Sequence, residues 1–149
     1  ININKVISEY VNPMMSSFDK VLIEIDDVLD NALIMGDEKQ IRQACGNLIK
    51  NSYENITSNN IENARISIFF NIENNYASIL VNDNGTGIDK SMISEITEPY
   101  FTTKVGGTGL GLAITKKIID DHNGTILIKS LKASKGTSIL LKFPLISKN

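Results

Sequence analysis

Val81-Asn82-Asp83-Asn84-Gly85-Thr86-Gly87-Ile88 opens the stretch that decides the fold, and Gly106-Gly107-Thr108-Gly109-Leu110-Gly111-Leu112 closes it. Six of the chain's ten glycines fall here: Gly85, Gly87, Gly106, Gly107, Gly109 and Gly111. Glycine admits positive φ and lets a ligand or a second backbone come close, at an entropic cost on folding. Two such clusters together with the carboxylate of Asp83 predict a ligand pocket; loops that only turn the chain are the blander alternative. Behind the second cluster, Leu110, Leu112, Ile114, Ile118 and Ile119 form an apolar helical pattern. The glycines therefore sit where a helix begins. A helix N-terminus offers free N–H groups and positive partial charge, which suits phosphate.

Working outward, the composition bounds the class. At 149 residues and 42% apolar, the chain fits one domain with a sizeable core. A net charge of −2 provides no basic field to attract nucleic acid or an acidic membrane. Cys45 is the one cysteine, so no intramolecular disulfide can form, which fits a reducing compartment. No apolar run approaches the roughly 18 residues of a membrane span and no secretory signal is visible, which predicts a soluble, cytoplasmic piece. The chain opens at Ile1 rather than Met and is expected to be part of something longer.

Ile3, Val6, Ile7, Tyr10 and Val11 predict a short amphipathic helix stopped near Pro13. Val21, Ile23 and Ile25 read as a strand, and Ala32 to Met35 as a second short one. Asp37, with Gln40 three residues on, marks the N-cap of a long helix. Ile41, Cys45, Leu48 and Ser52 lie on its apolar face, with Ala44 and Ile56 beside it. Gln43, Asn47, Asn51, Glu54 and Asn55 form a polar stripe. Asparagines are poor helix formers, so the pair at Asn47 and Asn51 needs a reason. A solvated face and a carboxamide pair facing a cation and phosphates are both open. Ile66 to Ile72 and Tyr76 to Asn82 form a hairpin that delivers Asp83 to the first glycine cluster. Residues 89–108 read as a lid with a short helix candidate at Met92-Ile93-Ile96. Leu110 to His122 is a helix stopped by Asn123-Gly124. Ile126 with Ile128, then Ile139, Leu141 and Phe143, are two last strands joined at Lys135-Gly136. This order predicts an α+β two-layer sandwich, a mixed β-sheet covered on one face by helices.

Four segments in this order resemble the catalytic ATP-binding domain of bacterial sensor histidine kinases, within the superfamily of gyrase, Hsp90, histidine kinases and MutL (GHKL). Asn47-Leu48-Ile49-Lys50-Asn51-Ser52-Tyr53-Glu54-Asn55 resembles the N box and Asp83-Asn84-Gly85-Thr86-Gly87 the G1 box. Glu98-Pro99-Tyr100-Phe101-Thr102-Thr103-Lys104 resembles the F box and Gly107-Thr108-Gly109-Leu110-Gly111-Leu112 the G2 box. The likeness runs from about Ile3 to Leu145. Glu54 and the Phe-Thr-Thr-Lys run look most like the nitrogen-regulation branch, the NtrB and NtrY kinases.

The resemblance implies a Bergerat-type ATP-binding fold and a role for each box. Asp83 would accept a hydrogen bond from the adenine amino group, because a carboxylate is an acceptor only. Gly85 and Gly87 would let the backbone approach the base. Asn51 would give its amide oxygen to Mg²⁺, which prefers oxygen ligands and keeps several waters. Asn47, one turn earlier, would support the phosphate end. Lys104 and the N–H groups near Thr108 to Leu110 would hold the β- and γ-phosphates, and Tyr100 and Phe101 would anchor the lid. Glu54, Ile88, Thr102, Thr103, Gly107, Gly109, Gly111, Leu112 and Thr137 complete the expected ATP-binding set. Lys50 lies near it by spacing.

One position separates chemistries within the superfamily. Its ATP-hydrolysing members carry a water-activating Glu where this chain has Asn47. An amide cannot act as a general base near neutral pH. The resemblance therefore implies phosphoryl transfer to a side chain supplied elsewhere, with Asn47, Asn51 and Lys104 as the catalytic set. The expected partners are a dimerisation domain bearing the phosphoacceptor histidine and a response-regulator receiver domain. The isolated chain is expected to be monomeric and not to phosphorylate itself; a full-length protein would be a homodimer, with the inner membrane as one place of anchoring. A degenerate nucleotide- or partner-binding module is the alternative. His122 reads as a plain helix C-terminal residue and Cys45 as core. No Walker-type loop, dinucleotide fingerprint or zinc-type Cys/His cluster is present in the sequence.

Overall fold

The computed structural model describes residues 1–18, 20–58, 60–87, 111–130 and 136–146. The first helix, α1 (Ile3–Met15), is capped by Asn2, whose side-chain oxygen accepts from the Lys5 N–H at 3.1 Å. It buries Ile3, Val6, Ile7 and Val11. The helix stops at Met15, near Pro13 as expected, with Pro13 inside its last turn. Proline lacks the N–H donor and its ring crowds the carbonyl four residues back, so the helix does not run on past that turn. Met14 and Met15 complete the turn, and the N–H groups of Ser17 and Phe18 then close on the Met14 carbonyl at 3.0 and 3.2 Å.

β1 (Leu22–Ile25) follows. The strand expected from Ala32 to Met35 is absent as such. Its alternation is real, with Ala32 and Ile34 buried and Leu33 and Met35 exposed, but Leu33 makes only an isolated bridge to Asn2. The segment pairs with the start of the chain, where α1 begins at once and leaves no room for a ladder. α2 (Glu38–Ser58) is capped as expected: the Asp37 carboxylate accepts the Gln40 N–H at 3.0 Å. Ile41, Ala44, Cys45, Leu48, Ile49, Ser52 and Ile56 are its buried face. Burial pushes the Cys45 thiol up to about 12, which keeps it a core residue without thiolate chemistry.

β2 (Arg65–Glu73) and β3 (Tyr76–Asp83) form the expected hairpin. Asn74 and Asn75 both have positive φ, 50° and 64°, as a two-residue primed turn demands. α3 (Gly111–Asp121) ends before Asn123, which takes φ 56°, and the Gly124 N–H returns to the Ile119 carbonyl at 2.9 Å. On α3, Ile118 and Ile119 are buried, whereas Ile114, expected on the apolar face, is exposed. Thr115 is fully buried one position along and faces α2 with its hydroxyl. β4 (Thr125–Ser130) and β5 (Thr137–Pro144) close the sheet.

The sheet order is β1-β2-β3-β5-β4, parallel only between β1 and β2. Its inner side chains, among them Ile66, Ile68, Ile79, Val81, Leu141 and Phe143, are buried against the helices. The opposite face exposes Phe69, Tyr76 and Leu127. This is the expected two-layer α+β sandwich with helices on one face of a mixed sheet.

Candidate functional site

Asp83 is the last residue of β3, a strand flanked on both sides, paired to Ile66 of β2 and Thr137 of β5. That position makes it buried, with 6% of its surface exposed. Its Oδ1 accepts the Gly85 N–H at 3.0 Å and the Thr137 N–H at 3.3 Å, and the Ser52 side chain also bonds it. Burial raises the carboxyl above the ordinary carboxylate value, against the downward pull of the Gly85 N–H, the Ser52 hydroxyl and the Thr137 N–H. A desolvated carboxylate whose donors come mostly from backbone is held in one orientation, with acceptor capacity left for a ligand N–H.

Two glycines make that geometry possible. Gly136 has φ 113°, and a Cβ there would lie 1.7 Å from the Asp83 carbonyl oxygen. Only glycine lets β5 start so close to the end of β3. At Gly85 a Cβ would come within 3.1 Å of Asp83 Oδ1 and 3.0 Å of Asn55 Nδ2. Gly87 has φ 81°. Asn84 fastens the same turn from outside: its Oδ1 accepts the Arg65 N–H at 2.7 Å and its Nδ2 donates to the Asn63 carbonyl at 2.8 Å.

The polar stripe of α2 runs from the turn after Asp83 to Gly111 at the start of α3. Near its C-terminal end Asn55 Oδ1 accepts from the Thr86 hydroxyl at 3.4 Å, and Ser52 reaches Asp83. Two turns earlier Asn47 Nδ2 donates to the Gly111 carbonyl at 3.3 Å. Asn51 is half-buried, and its Nδ2 stands 3.7 Å from where a Gly111 Cβ would be. Thr115 Oγ1 bonds the Gly111 carbonyl at 2.9 Å and the Ala44 carbonyl at 3.5 Å. One helix face thus touches the first cluster through Asn55 and Ser52 and the end of the second through Asn47 and Asn51. Glu54 is half-buried on the same stripe, with Lys50 Nζ 4.0 Å from its carboxylate. Leu112 is partly buried against the core.

Of the expected site residues, Asn47, Asn51, Glu54, Asp83, Gly85, Gly87, Gly111, Leu112 and Thr137 are among the described residues. Ile88, Tyr100, Phe101, Thr102, Thr103, Lys104, Gly107, Thr108, Gly109 and Leu110 lie outside them, as do the Met92-Ile93-Ile96 helix candidate and the lid. Sequence reasoning placed Ser52 with the apolar face, Asn55 only in the stripe, and Gly136 in a turn. A hydroxyl in an otherwise apolar row was the available signal for Ser52. Nothing local to Gly136 points across the sheet to Asp83.

Alongside the stripe a cleft of about 660 Å³ is lined by Tyr10, Met14, Phe18, Arg42, Lys50 and Tyr53, and shares Gln43, Asn47 and Glu54 with the stripe. Phe18 and Tyr53 stack in it with ring centroids 4.2 Å apart. Asp83 does not line it. Among the described residues no group of three His, Cys, Asp or Glu side chains could hold a metal ion.

The family described as histidine kinase-, DNA gyrase B- and HSP90-like ATPase matches residues 36–147. Sporulation kinase A of Bacillus subtilis is 33% identical over 147 residues, 97% of this chain and 23% of that protein. An NtrY-like sensor histidine kinase of Rickettsia typhi is 35% identical over 127 residues, 85% of this chain and 21% of that protein. The chain therefore spans about a fifth to a quarter of these relatives' length. The catalytic domain of histidine kinase ThkA, in a nucleotide-free form, superposes with a TM-score of 0.79 at 29% identity, covering 97% of this chain and 93% of that one. The same kinase in complex with the response regulator TrrA gives a TM-score of 0.78 at 25% identity, covering 98% of this chain and 41% of that one.

Proposed function

Since the chain belongs to the histidine kinase-, DNA gyrase B- and HSP90-like ATPase family, we propose that it is the ATP-binding catalytic domain of a sensor histidine kinase, one domain from residue 1 to 149. It binds ATP with Mg²⁺ and presents the γ-phosphoryl to a histidine on a separate dimerisation domain of the same protein. The observation that carries this reading is the buried Asp83, fixed by the Gly85 and Thr137 N–H groups beside Gly136, where a Cβ would lie 1.7 Å from the Asp83 carbonyl oxygen.

In this reading Asp83 accepts the exocyclic N–H of adenine, and Gly85, Gly87 and Thr137 shape the base end. Guanine offers a carbonyl there and is disfavoured, because acceptor would face acceptor. Asn47 and Asn51 stand at the phosphate end, where Gly111 lies against α2. Asn51 holds Mg²⁺ through its amide oxygen, with Asn47 in support. A single carboxamide ligand suits an ion that keeps waters and takes phosphate oxygens. When bound, that ion neutralises charge on the phosphates, and positioning supplies the rest. The Asn47 amide cannot take a proton from water, which favours transfer over hydrolysis. Lys104 and the Thr108 to Leu110 N–H groups take the β- and γ-phosphates, and Glu54 borders them.

Sporulation kinase A and an NtrY-like kinase match this chain at similar identity, 33% and 35%. The nitrogen-regulation branch is thus an inference from Glu54 and Phe101-Thr102-Thr103-Lys104 alone. A response-regulator receiver domain is the proposed final acceptor, in keeping with ThkA and its regulator. No described helix is long and apolar enough to cross a membrane.

γ-Labelled ATP and Mg²⁺, given to this chain with and without the dimerisation domain of its parent protein, test the reading. Label on the added histidine, with none on this chain alone and little free phosphate, is expected. Steady phosphate release by the chain alone would show an ATPase instead.

A further inference from the structure

His122 lies just beyond the end of α3, and its half-buried ring is bonded at both nitrogens. Nδ1 is 2.7 Å from the Ile118 carbonyl, which only accepts, so Nδ1 carries the proton and donates. Nε2 is 3.0 Å from the Asp37 nitrogen, whose N–H donates, so Nε2 accepts. Asp37 is the N-cap of α2. The ring is seated against the bare face of Gly36, where a Cβ would come within 2.8 Å of its Cδ2. Phe143 of the sheet meets it edge-on, with centroids 6.5 Å apart.

The place of this tie gives it a consequence for the site. α2 and α3 run antiparallel along one seam with polar ties at Asn47 to Gly111, Ala44 to Thr115 and Asp37 to His122. As residue numbers fall along α2 they rise along α3. The first tie lies at the candidate site, and the last at the far end of the seam. We infer that His122 is a positioning residue: it pins the far end of the α2–α3 seam and so holds Gly111 in register with Asn47 and Asn51. This rests on the ATP-binding reading of that register.

Only the neutral ring can make both bonds. A protonated imidazole carries N–H groups on both nitrogens, and its Nε2–H would face the Asp37 N–H, donor against donor. Imidazole is the side chain that changes charge between about pH 5 and 8. The charged groups on the packed elements are Asp37, Glu38 and Lys39 at the start of α2, Lys116, Lys117, Asp120 and Asp121 on α3, and Lys142 of β5. Glu38 pairs with Arg42, Lys116 with Asp120 and Lys117 with Asp121. None of these pairs changes the bonds that the protonated ring could make.

The experiment is ATP–Mg²⁺ affinity of the wild-type chain, His122→Ala and His122→Gln, each at about pH 8 and about pH 6. Glutamine is neutral throughout and has an acceptor and a donor at its tip. At the higher pH His122→Ala should bind about threefold to tenfold more weakly, the range that one hydrogen bond carries, and His122→Gln should recover most of the loss. On acidification the wild type should weaken relative to His122→Gln. That ratio cancels the titration of ATP and of Asp83, which both proteins share. Gly36→Ala, which pushes a methyl against the ring far from the site, should weaken binding in the same direction even if His122→Ala is poorly folded. Equal ATP affinity in wild type and His122→Ala, or a wild-type to His122→Gln ratio unchanged by pH, overturns the inference while leaving ATP binding intact. A folded wild-type chain that binds no ATP at either pH overturns both.

Discussion

Toward the C-terminal end of α2 the candidate site is built into the sheet: Asp83 is buried and its Oδ1 takes two backbone N–H groups. Two turns back along the same helix the construction is looser. Asn47, half-buried, reaches Gly111 through a 3.3 Å bond, and Asn51 one turn on is half-buried as well. The first region is organised before any ligand arrives; the second offers amides that a ligand and its ion would organise. A shape-specific group such as a base is recognised by fixed partners, whose donors face the wrong one without compensation. Phosphates and a hydrated cation tolerate adjustable partners. The difference also has a stability side, because a desolvated carboxylate is held against its own preference for water.

The sharpest way to break the contrast is Gly136→Ala. The new Cβ overlaps the Asp83 carbonyl at 1.7 Å in a backbone region hostile to side chains. It should cost more than about 3 kcal/mol, read as a large fall in the denaturation midpoint.

Next comes Asp83→Asn, which should separate function from stability. ATP affinity should fall about tenfold to a hundredfold, the value of a hydrogen bond to a charged group. Stability should move the other way. Burial raises the native Asp83 pKa above 3.8, so the native state holds this proton more tightly than the unfolded chain does. The group favours the fold below its unfolded pKa, and that contribution is lost as pH rises through the native value. Urea denaturation of both proteins from about pH 4 to about pH 7 should show the variant gaining on the wild type as pH rises. A difference independent of pH would contradict the assigned cause.

Ser52→Ala should act on the same carboxylate more gently. It removes one stabilising donor and should cost about 1 kcal/mol, with ATP affinity falling by less than in Asp83→Asn. Asn47→Ala, at the looser end, should leave the midpoint within about 1 kcal/mol of wild type and show mainly in the binding of ATP–Mg²⁺. Were Asn47→Ala as destabilising as Gly136→Ala, the two regions would not differ as described.

What could be read from the sequence followed from how local each signal is. The caps at Asp37 and Asn123, the Asn74-Asn75 turn and the alternation in β2, β3 and β5 are short-range chemistry, and each stands where expected. The segment 32–35 differs from its expected strand because its outcome depends on a partner: it pairs with Asn2 in place of the sheet. Ile114 continued an apolar period on α3, yet Thr115 takes the contact with α2 because the helix turns its hydroxyl to Ala44. At the site, Asp83 announced itself by following a strand and preceding glycines. Of its support, only Thr137 was expected, through the resemblance; Gly136 comes from the neighbouring strand, distant in sequence, and Ser52 is hidden in an apolar row. The link between Asp37 and His122 was equally invisible, because nothing in either segment names the other.

The central claim is that the pre-built Asp83 end recognises adenine and the amide end takes Mg²⁺ with the phosphates. Calorimetric titration of ATP into wild type and Asp83→Asn, each with and without Mg²⁺, tests it most directly. The account predicts wild-type binding that strengthens with Mg²⁺ and is lost or much weakened in a folded Asp83→Asn. A folded wild-type chain that takes up no ATP, or one whose affinity is unaffected by the substitution, would contradict it.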